Sequence, residues 1–449
     1  MILLCIIELI FKLVEPIHAD DTKPVSRSSV PEKGYPIVSD GSTAIRTSRG
    51  RWIALALMAT TLVLSMSTWF SASAVLPQLR EMWNLSPGVS AWLTISVQLG
   101  FVCGAIVSSL LNLPDIVAPR HVILGGAMGA AAANALVQVA GGPLLGIPLR
   151  FATGFFLAGV YPPAFKLAST WFRGGRGLAL GVLAAAIVVG NGMPHLVNGL
   201  GGLDWRVVIY ATSALTVAGG LVAEFGIKQG PYPFPEAIFD PRQAGRVFGN
   251  RGVRLATLGY VGHMWELFAV YAWFYAFFAD ALSAWGAPVG SNAAYATFAM
   301  FVAGGLGCWL GGILADHWGK PRTTALMMII SGTCSLLIGL LFGMSPWLIM
   351  LVGLVWGFAV VADSAQFSTM VTEYADQAYV GTALTLQLAA GFTVTVATIW
   401  LIPLLQQALG WRWAFAILAA GPIVGVLSMI RLRLGRLKSA SQLVADSKA

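Results

Sequence analysis

From Trp52 almost to the C-terminus, apolar runs of about 20 residues alternate with short polar breaks, and a run of that length crosses a bilayer as a helix. About twelve such spans are predicted. Six begin near Trp52, Val89, His121, Pro143, Gly177 and Trp205. After a basic segment at 228–253, six more begin near Arg254, Ser291, Thr323, Trp347, Val380 and Trp411. The pattern predicts an all-α membrane protein. Residues 1–50 depart from it. Their apolar start, ILLCIIELIF, is too short to span and lacks the basic leader of a signal peptide. The Pro-, Ser- and charge-rich stretch that follows reads as a disordered cytoplasmic tail, or the start codon is over-extended.

The two sets of spans repeat one another. Gly154-Phe155 in the fourth span matches Gly357-Phe358 in the tenth, and Asp115 after the second matches Asp316 after the eighth. Gly177-Leu178-Ala179-Leu180 matches Gly381-Thr382-Ala383-Leu384, and Trp205-Arg206 matches Trp411-Arg412. A near-constant offset in matching spans indicates a duplicated unit, which is typical of secondary transporters. The predicted organisation is a tail at 1–50, a six-helix half at 51–227, a cytoplasmic linker at 228–253 containing PYPFPEAIFDPRQ, a second six-helix half at 254–435 and a tail at 436–449.

Composition agrees with this picture. The chain is 57% hydrophobic and 10% charged, with a mean hydropathy of +0.77, whereas a soluble domain is nearer a quarter charged. A net charge of +8 would suit a nucleic-acid partner, but the basic residues cluster in alternate loops. Arg46, Arg49 and Arg51, then Arg173 and Arg176, then Arg242, Arg246, Arg251 and Arg254 alternate with loops holding little beyond Arg80, Arg206 and Arg412. That is the positive-inside bias of a multi-pass protein of the cell's inner (cytoplasmic) membrane, with both termini cytoplasmic and no nucleic acid involved. Cys103, Cys308 and Cys334 lie in separate spans and Cys5 in the tail, so no spacing suggests a metal site or a disulfide framework, and each reads as a small buried hydrophobe. No P-loop, zinc-protease motif or nucleophile elbow is present, so neither an enzyme nor a cofactor is expected.

The loop after the eighth span, GGILADHWGKPR, places Gly312, Asp316, Gly319, Lys320 and Arg322 in a pattern with physical purpose. Glycines let helices approach closely, and a carboxylate at the membrane edge can sit at a neighbouring helix N-terminus. This resembles the signature loop of the major facilitator superfamily. The first-half copy, LNLPDIVAPRHVIL, keeps Asp115 and Arg120 but lacks the glycines. The resemblance covers roughly residues 51–435 and implies two pseudo-symmetric six-helix halves moving a small solute by alternating access. RFATGFFLAGVYPPAFKLASTWFRGGRGLALG further resembles the nitrate/nitrite and cyanate porter branch. The second and eighth spans, however, lack that branch's anion-binding arginines, and only Gly190-Asn191 of its glycine-asparagine signature is kept.

Ionisable residues inside a membrane cost roughly 2.5–3.5 kcal/mol each on insertion scales and are functional candidates by default. Here they are Arg150 in the fourth span, His263 and Glu266 in the seventh, and Asp363 in the tenth, near Gln366. Thr61, Ser65 and Thr68 share one face of the first span. The resemblance implies that spans one, four, seven and ten line a central cavity, where these residues fall. His263 and Glu266 share a face with Gly259, Val270, Trp273 and Phe277, and Tyr260, Tyr271 and Tyr275 lie on an adjoining one. Such aromatics suit a planar organic ligand or form an interfacial belt. His195, about 27 Å along the fifth span at 1.5 Å per residue, is expected at the interface.

The sequence therefore predicts a monomeric secondary transporter, coupled to protons through Glu266, for a small organic solute such as a flavin-type vitamin (riboflavin). A porter of a small anion such as cyanate, nitrate or an organic acid, with Arg150 as counter-charge, is one alternative. A transport-derived membrane sensor is another.

Overall fold

The computed structural model describes residues 41–172, 175–200, 204–232, 244–376 and 379–446. The expectations for the 1–40 part of the tail, for the 233–243 part of the 228–253 linker, for the last three residues and for the side chain of Asp115 lie outside what is described.

Twelve helices among the described residues are long and apolar enough to cross a membrane. In chain order they are α1 (Arg49–Thr68), α2 (Pro87–Leu110), α3 (Pro119–Val139), α4 (Pro143–Ser169), α5 (Gly177–Gly199) and α6 (Trp205–Gly226). The second six are α7 (Arg251–Trp285), α8 (Gly290–Trp318), α9 (Lys320–Leu340), α10 (Pro346–Tyr374), α11 (Val380–Leu409) and α12 (Trp411–Gly435). Every predicted start falls within three residues of an observed one. The starts are legible because proline opens α2, α3, α4 and α10, where its missing N–H costs nothing. Ser86 also caps α2 by accepting from Val89 N.

An even number of spans leaves both termini at one end of the bundle, called here the terminal end, with the far end opposite. Four spans are broken. α12 breaks near its start, where Trp411–Ala414 gives way to a 3-10 turn at Ala416–Ala419. The main helix of α1 stops at Ser65, and a 3-10 turn (Met66–Thr68) leads to short helices at Ser71–Ala74 and Leu76–Met82. α4 breaks between Leu157 and Tyr161, and α10 at Asp363. By contrast, α7 runs unbroken and ends at Gly286, whose φ of 76° is the left-handed cap that glycine adopts without steric penalty.

The duplication is visible atom by atom. A β-carbon on Gly104 would collide with the carbonyl oxygen of Phe155, and one on Gly307 would collide with that of Phe358. The same holds for Gly154 against Val97 O and for Gly357 against Met300 O. Each partner in the second half lies 203 positions after its counterpart in the first, as the Gly154/Gly357 match in the sequence requires. Lipid gives helices no hydrophobic reason to associate, so this close backbone packing holds α2 to α4 and α8 to α10. Cys308 and Cys334 are buried as expected, but Cys103 is exposed on the bundle surface, where the apolar solvent is lipid.

Candidate site at the seam between the halves

Each half carries a polar node in its own interior. In the first half Arg150 is fully buried. Its Nε donates to Leu93 O at 3.3 Å, and its Nη1 to Thr68 O at 2.9 Å, Ser71 Oγ at 3.0 Å and Asn134 Oδ1 at 2.8 Å. Its Nη2 donates to Trp69 O. The break in α1 frees the Thr68 and Trp69 carbonyls from helix bonding, and the guanidinium's fixed fork takes them up. Asn134 in turn donates to Ile209 O, Thr212 Oγ1 and Ser213 Oγ of α6. Among the described residues no carboxylate pairs with Arg150. Its charge is spread over carbonyl and amide oxygens, and every one of its nitrogens is engaged.

The second half is built on α7. Glu266 accepts from Ser331 Oγ of α9 at 2.8 Å and from Trp356 Nε1 of α10 at 2.6 Å, so both carboxyl oxygens are engaged. One turn earlier, His263 Nδ1 stands 2.8 Å from Asp363 Oδ1 at the α10 break, close in distance but not directed as a hydrogen bond. His263 Nε2 is buried without a partner among the described residues, and the ring lies against Tyr260 and Phe367. The structure thus brings His263, Glu266 and Asp363 together on the α7–α10 contact and keeps Arg150 in the other half. Gln366 is buried one turn beyond Asp363, and its N–H closes on Asp363 O at 3.0 Å. Trp273 donates to Ile399 O of α11 at 2.9 Å and so ties two helices of one half.

The face carrying Thr61, Ser65 and Thr68 turns into its own half. Ser65 Oγ abuts Gly219 of α6, Ser65 O accepts from Thr216 Oγ1 at 3.1 Å, and Thr68 O belongs to Arg150. In the signature loop, Gly319 has a φ of 86°, a conformation that favours glycine. Lys320 pairs with Glu373 at the end of α10. Gly312 has open space beside it, while Asp316 and Arg322 are exposed and make no ion pair among the described residues. Arg120 is half-buried, with its Nε unpartnered.

Where the halves meet, aromatic rings replace the polar nodes. Trp69 of the α1 break lies 5.0 Å from Phe101 of α2, 5.9 Å from Phe268 of α7 and 6.1 Å from Phe392 of α11. Phe70 packs on Phe268, Tyr271 and Phe301, and Tyr271 lies 4.1 Å from Phe301. Phe101 also stacks on Tyr161, at the α4 break. On α5, His195 is fully buried between Tyr275 at 5.4 Å and Phe301 at 5.8 Å. Its expected place at the interface is therefore corrected: the far end of α5 is covered by α7 and α8, so depth along the helix did not translate into exposure. One turn on, Asn198 donates to Tyr275 Oη at 3.3 Å and to Ala74 O at 2.8 Å. Gln98 of α2 accepts from Thr395 Oγ1 of α11 at 3.0 Å.

Within this seam, polar atoms are left over. Trp69 Nε1, Tyr271 Oη, both nitrogens of His195, Asn191 Oδ1 and Gln98 Nε2 are buried without a hydrogen-bond partner among the described residues. Buried polar groups are normally paired, and an exception calls for an explanation. The sequence reading passed over Trp69, Phe101, Phe301 and Phe392. Asn191, His195 and Asn198 were legible as one helical face at i, i+4 and i+7.

Two like halves of six spans, tied internally and meeting at a partly unpaired seam, are the architecture of an alternating-access carrier. A family model, Major Facilitator Superfamily, matches residues 57–392. The chain belongs to that superfamily. It is a multi-pass membrane protein of transporter fold, carries a small solute across a bilayer and is not an enzyme. No curated protein sequence matches it. Among solved structures, a bacterial homologue of the human lysosomal transporter spinster, inward-facing and unoccupied, is similar with a TM-score of 0.64 at 14% identity, covering 86% of this chain and 96% of that one. Its inward-facing, occupied form gives 0.62 at 15% identity, covering 85% and 95%. A mutant of the nucleoside transporter NupG gives 0.67 at 13% identity, covering 84% and 99%. At these identities the likeness shows the fold alone, and the nitrate/nitrite and cyanate porters are not singled out.

Proposed function

We propose that this superfamily member is a monomeric, proton-coupled carrier of a planar aromatic organic solute, with a flavin-type vitamin such as riboflavin as the model cargo. In this reading it acts in the cell's inner membrane with both termini cytoplasmic, as its loop charges favour. The observation that carries the reading is the seam. Rings from α1, α2, α7, α8 and α11 converge there beside buried polar atoms that nothing among the described residues pairs. Planar solutes stack on such rings, and a few placed polar groups fix their orientation. Proton coupling is assigned to the α7–α10 cluster of Glu266, His263 and Asp363, since broken helices beside ionisable groups are a recurrent way of building coupling sites.

A small-anion porter fits less well, because Arg150 already spends all its nitrogens on oxygens within its own half. The test is reconstitution in liposomes with an imposed pH gradient. Riboflavin-class solutes should accumulate and nitrate or cyanate should not. Binding without flux would identify a sensor, and anion-selective flux would overturn the assignment.

A further inference from the structure

A cavity of about 140 Å³ opens at the far end of the bundle, between the two halves. The first half contributes Leu76 and Arg80, on the short helix that follows the α1 break. The second half contributes Trp273 and Asp280 of α7, Pro403 and Gln406 of α11, and Trp411 of α12. Leu76, Trp273, Pro403 and Trp411 are buried, Gln406 is half-buried, and Arg80 and Asp280 are exposed. The cavity therefore has an apolar floor and a charged rim. Both indole N–H groups are already engaged, Trp273 with Ile399 O at 2.9 Å and Trp411 with Asp280 Oδ2 at 2.7 Å, so the indoles offer ring surface alone. Arg80 and Asp280 bring opposite charges to one cavity from opposite halves, yet neither joins an ion pair among the described residues.

We propose that this cleft is a binding site for a small zwitterion with an aromatic body, of the size of an aromatic amino acid. The body lies on the Trp273 floor, the ammonium group meets Asp280 and the carboxylate meets Arg80. The volume fits, since a cavity on the order of 150 Å³ admits a benzene ring. The charges set the class. Opposite charges within ion-pair reach would satisfy each other, but these two stand apart on separate walls, and a molecule carrying both signs answers both at once. An anion answers Arg80 and meets Asp280 as a like charge, and a cation does the reverse. The site is distinct from the ring cluster of the seam and from the α7–α10 polar node, so it stands or falls independently of the carrier's cargo. Because its two charges belong to different halves, a bound zwitterion also ties those halves together at the far end.

The experiment measures equilibrium binding to the purified full-length protein in uncharged detergent at low salt, where exposed charges are least screened. The probes are L-phenylalanine, 3-phenylpropionate, which lacks the ammonium group, and 2-phenylethylamine, which lacks the carboxylate. L-phenylalanine is expected to bind about fivefold tighter than either, the upper range for one exposed charge pair. Arg80→Gln should remove its advantage over 2-phenylethylamine. Asp280→Asn keeps an oxygen for Trp411 Nε1 and should remove its advantage over 3-phenylpropionate. Both positions are exposed, and the wild-type ranking decides alone if either variant does not fold. Equal or tighter binding of either singly charged probe overturns the proposal, as does survival of either advantage in its variant. Absence of L-phenylalanine binding to the wild type overturns it as well.

Discussion

Glu266 separates a structural role from a coupling role with two substitutions. Glu266→Leu removes the acceptor for both Trp356 Nε1 and Ser331 Oγ. Hydrogen bonds to a charged group contribute about 1.5–3 kcal/mol each. Ser331 keeps a second acceptor, Met328 O at 3.2 Å, but the buried indole N–H does not gain one. The leucine variant should therefore lose about 3–5 kcal/mol of stability. Glu266→Gln keeps an oxygen for Trp356 and turns an amide N–H toward Ser331 Oγ, so its loss should stay below about 1.5 kcal/mol. Equilibrium unfolding in mixed micelles measures both. In liposomes, the glutamine variant should still exchange substrate at equal pH but fail to accumulate it against a pH gradient. Full accumulation by Glu266→Gln would remove the residue as proton carrier, and equal stability of the two variants would refute the hydrogen-bond reasoning.

Glycine replacement should follow the duplicated contacts: Gly154→Ala and Gly357→Ala should each cost several kcal/mol in an unfolding assay, while Gly312→Ala, with open space beside it, should cost under about 0.5 kcal/mol. Wild-type stability of either buried variant would contradict the packing. In a background without native cysteines, an impermeant thiol reagent applied outside intact cells should label Ser283→Cys and not His317→Cys, and the opposite pattern would invert the topology. Asp316→Asn is expected to slow transport in liposomes while leaving insertion intact, and an unchanged rate would deny the signature loop its gating role.

The spans and the repeat were legible because lipid imposes a length on helices and because glycine is indispensable where two backbones touch, as at Gly154 and Gly357. The sequence singled out His263, Glu266 and Asp363, since ionisable groups in lipid need company. It set them on one cavity with Arg150, however, which the structure keeps in the other half. The partners were less legible. Arg150 suggested an anion, yet it holds carbonyls freed by a break in α1 that neither proline nor glycine marks. Helical spacing grouped Thr61, Ser65 and Thr68 on one face, but spacing cannot say which neighbour a face meets, and Ser65 meets Gly219. The seam escaped for the same reason. Trp69, Phe101, Phe301 and Phe392 are ordinary apolar residues in apolar spans, and only tertiary packing collects them.

The glycine contacts have a mechanical consequence. With α2 clamped to α4 and α8 to α10 at backbone distance, neither half can flex along those lines without tearing its packing. Compliance is left to the surface between them. Between described residues, two side-chain hydrogen bonds cross that surface, Asn198 to Tyr275 and Thr395 to Gln98, and the remainder is apolar, ring against ring beside the aliphatic packing of Gly304 and Gly305 on Val188, Val189 and Ala185. Tilted rings lose little when they slide, because their attraction is weakly directional compared with a hydrogen bond. The two halves therefore behave as stiff plates on a greased bearing, with the friction set by two polar catches.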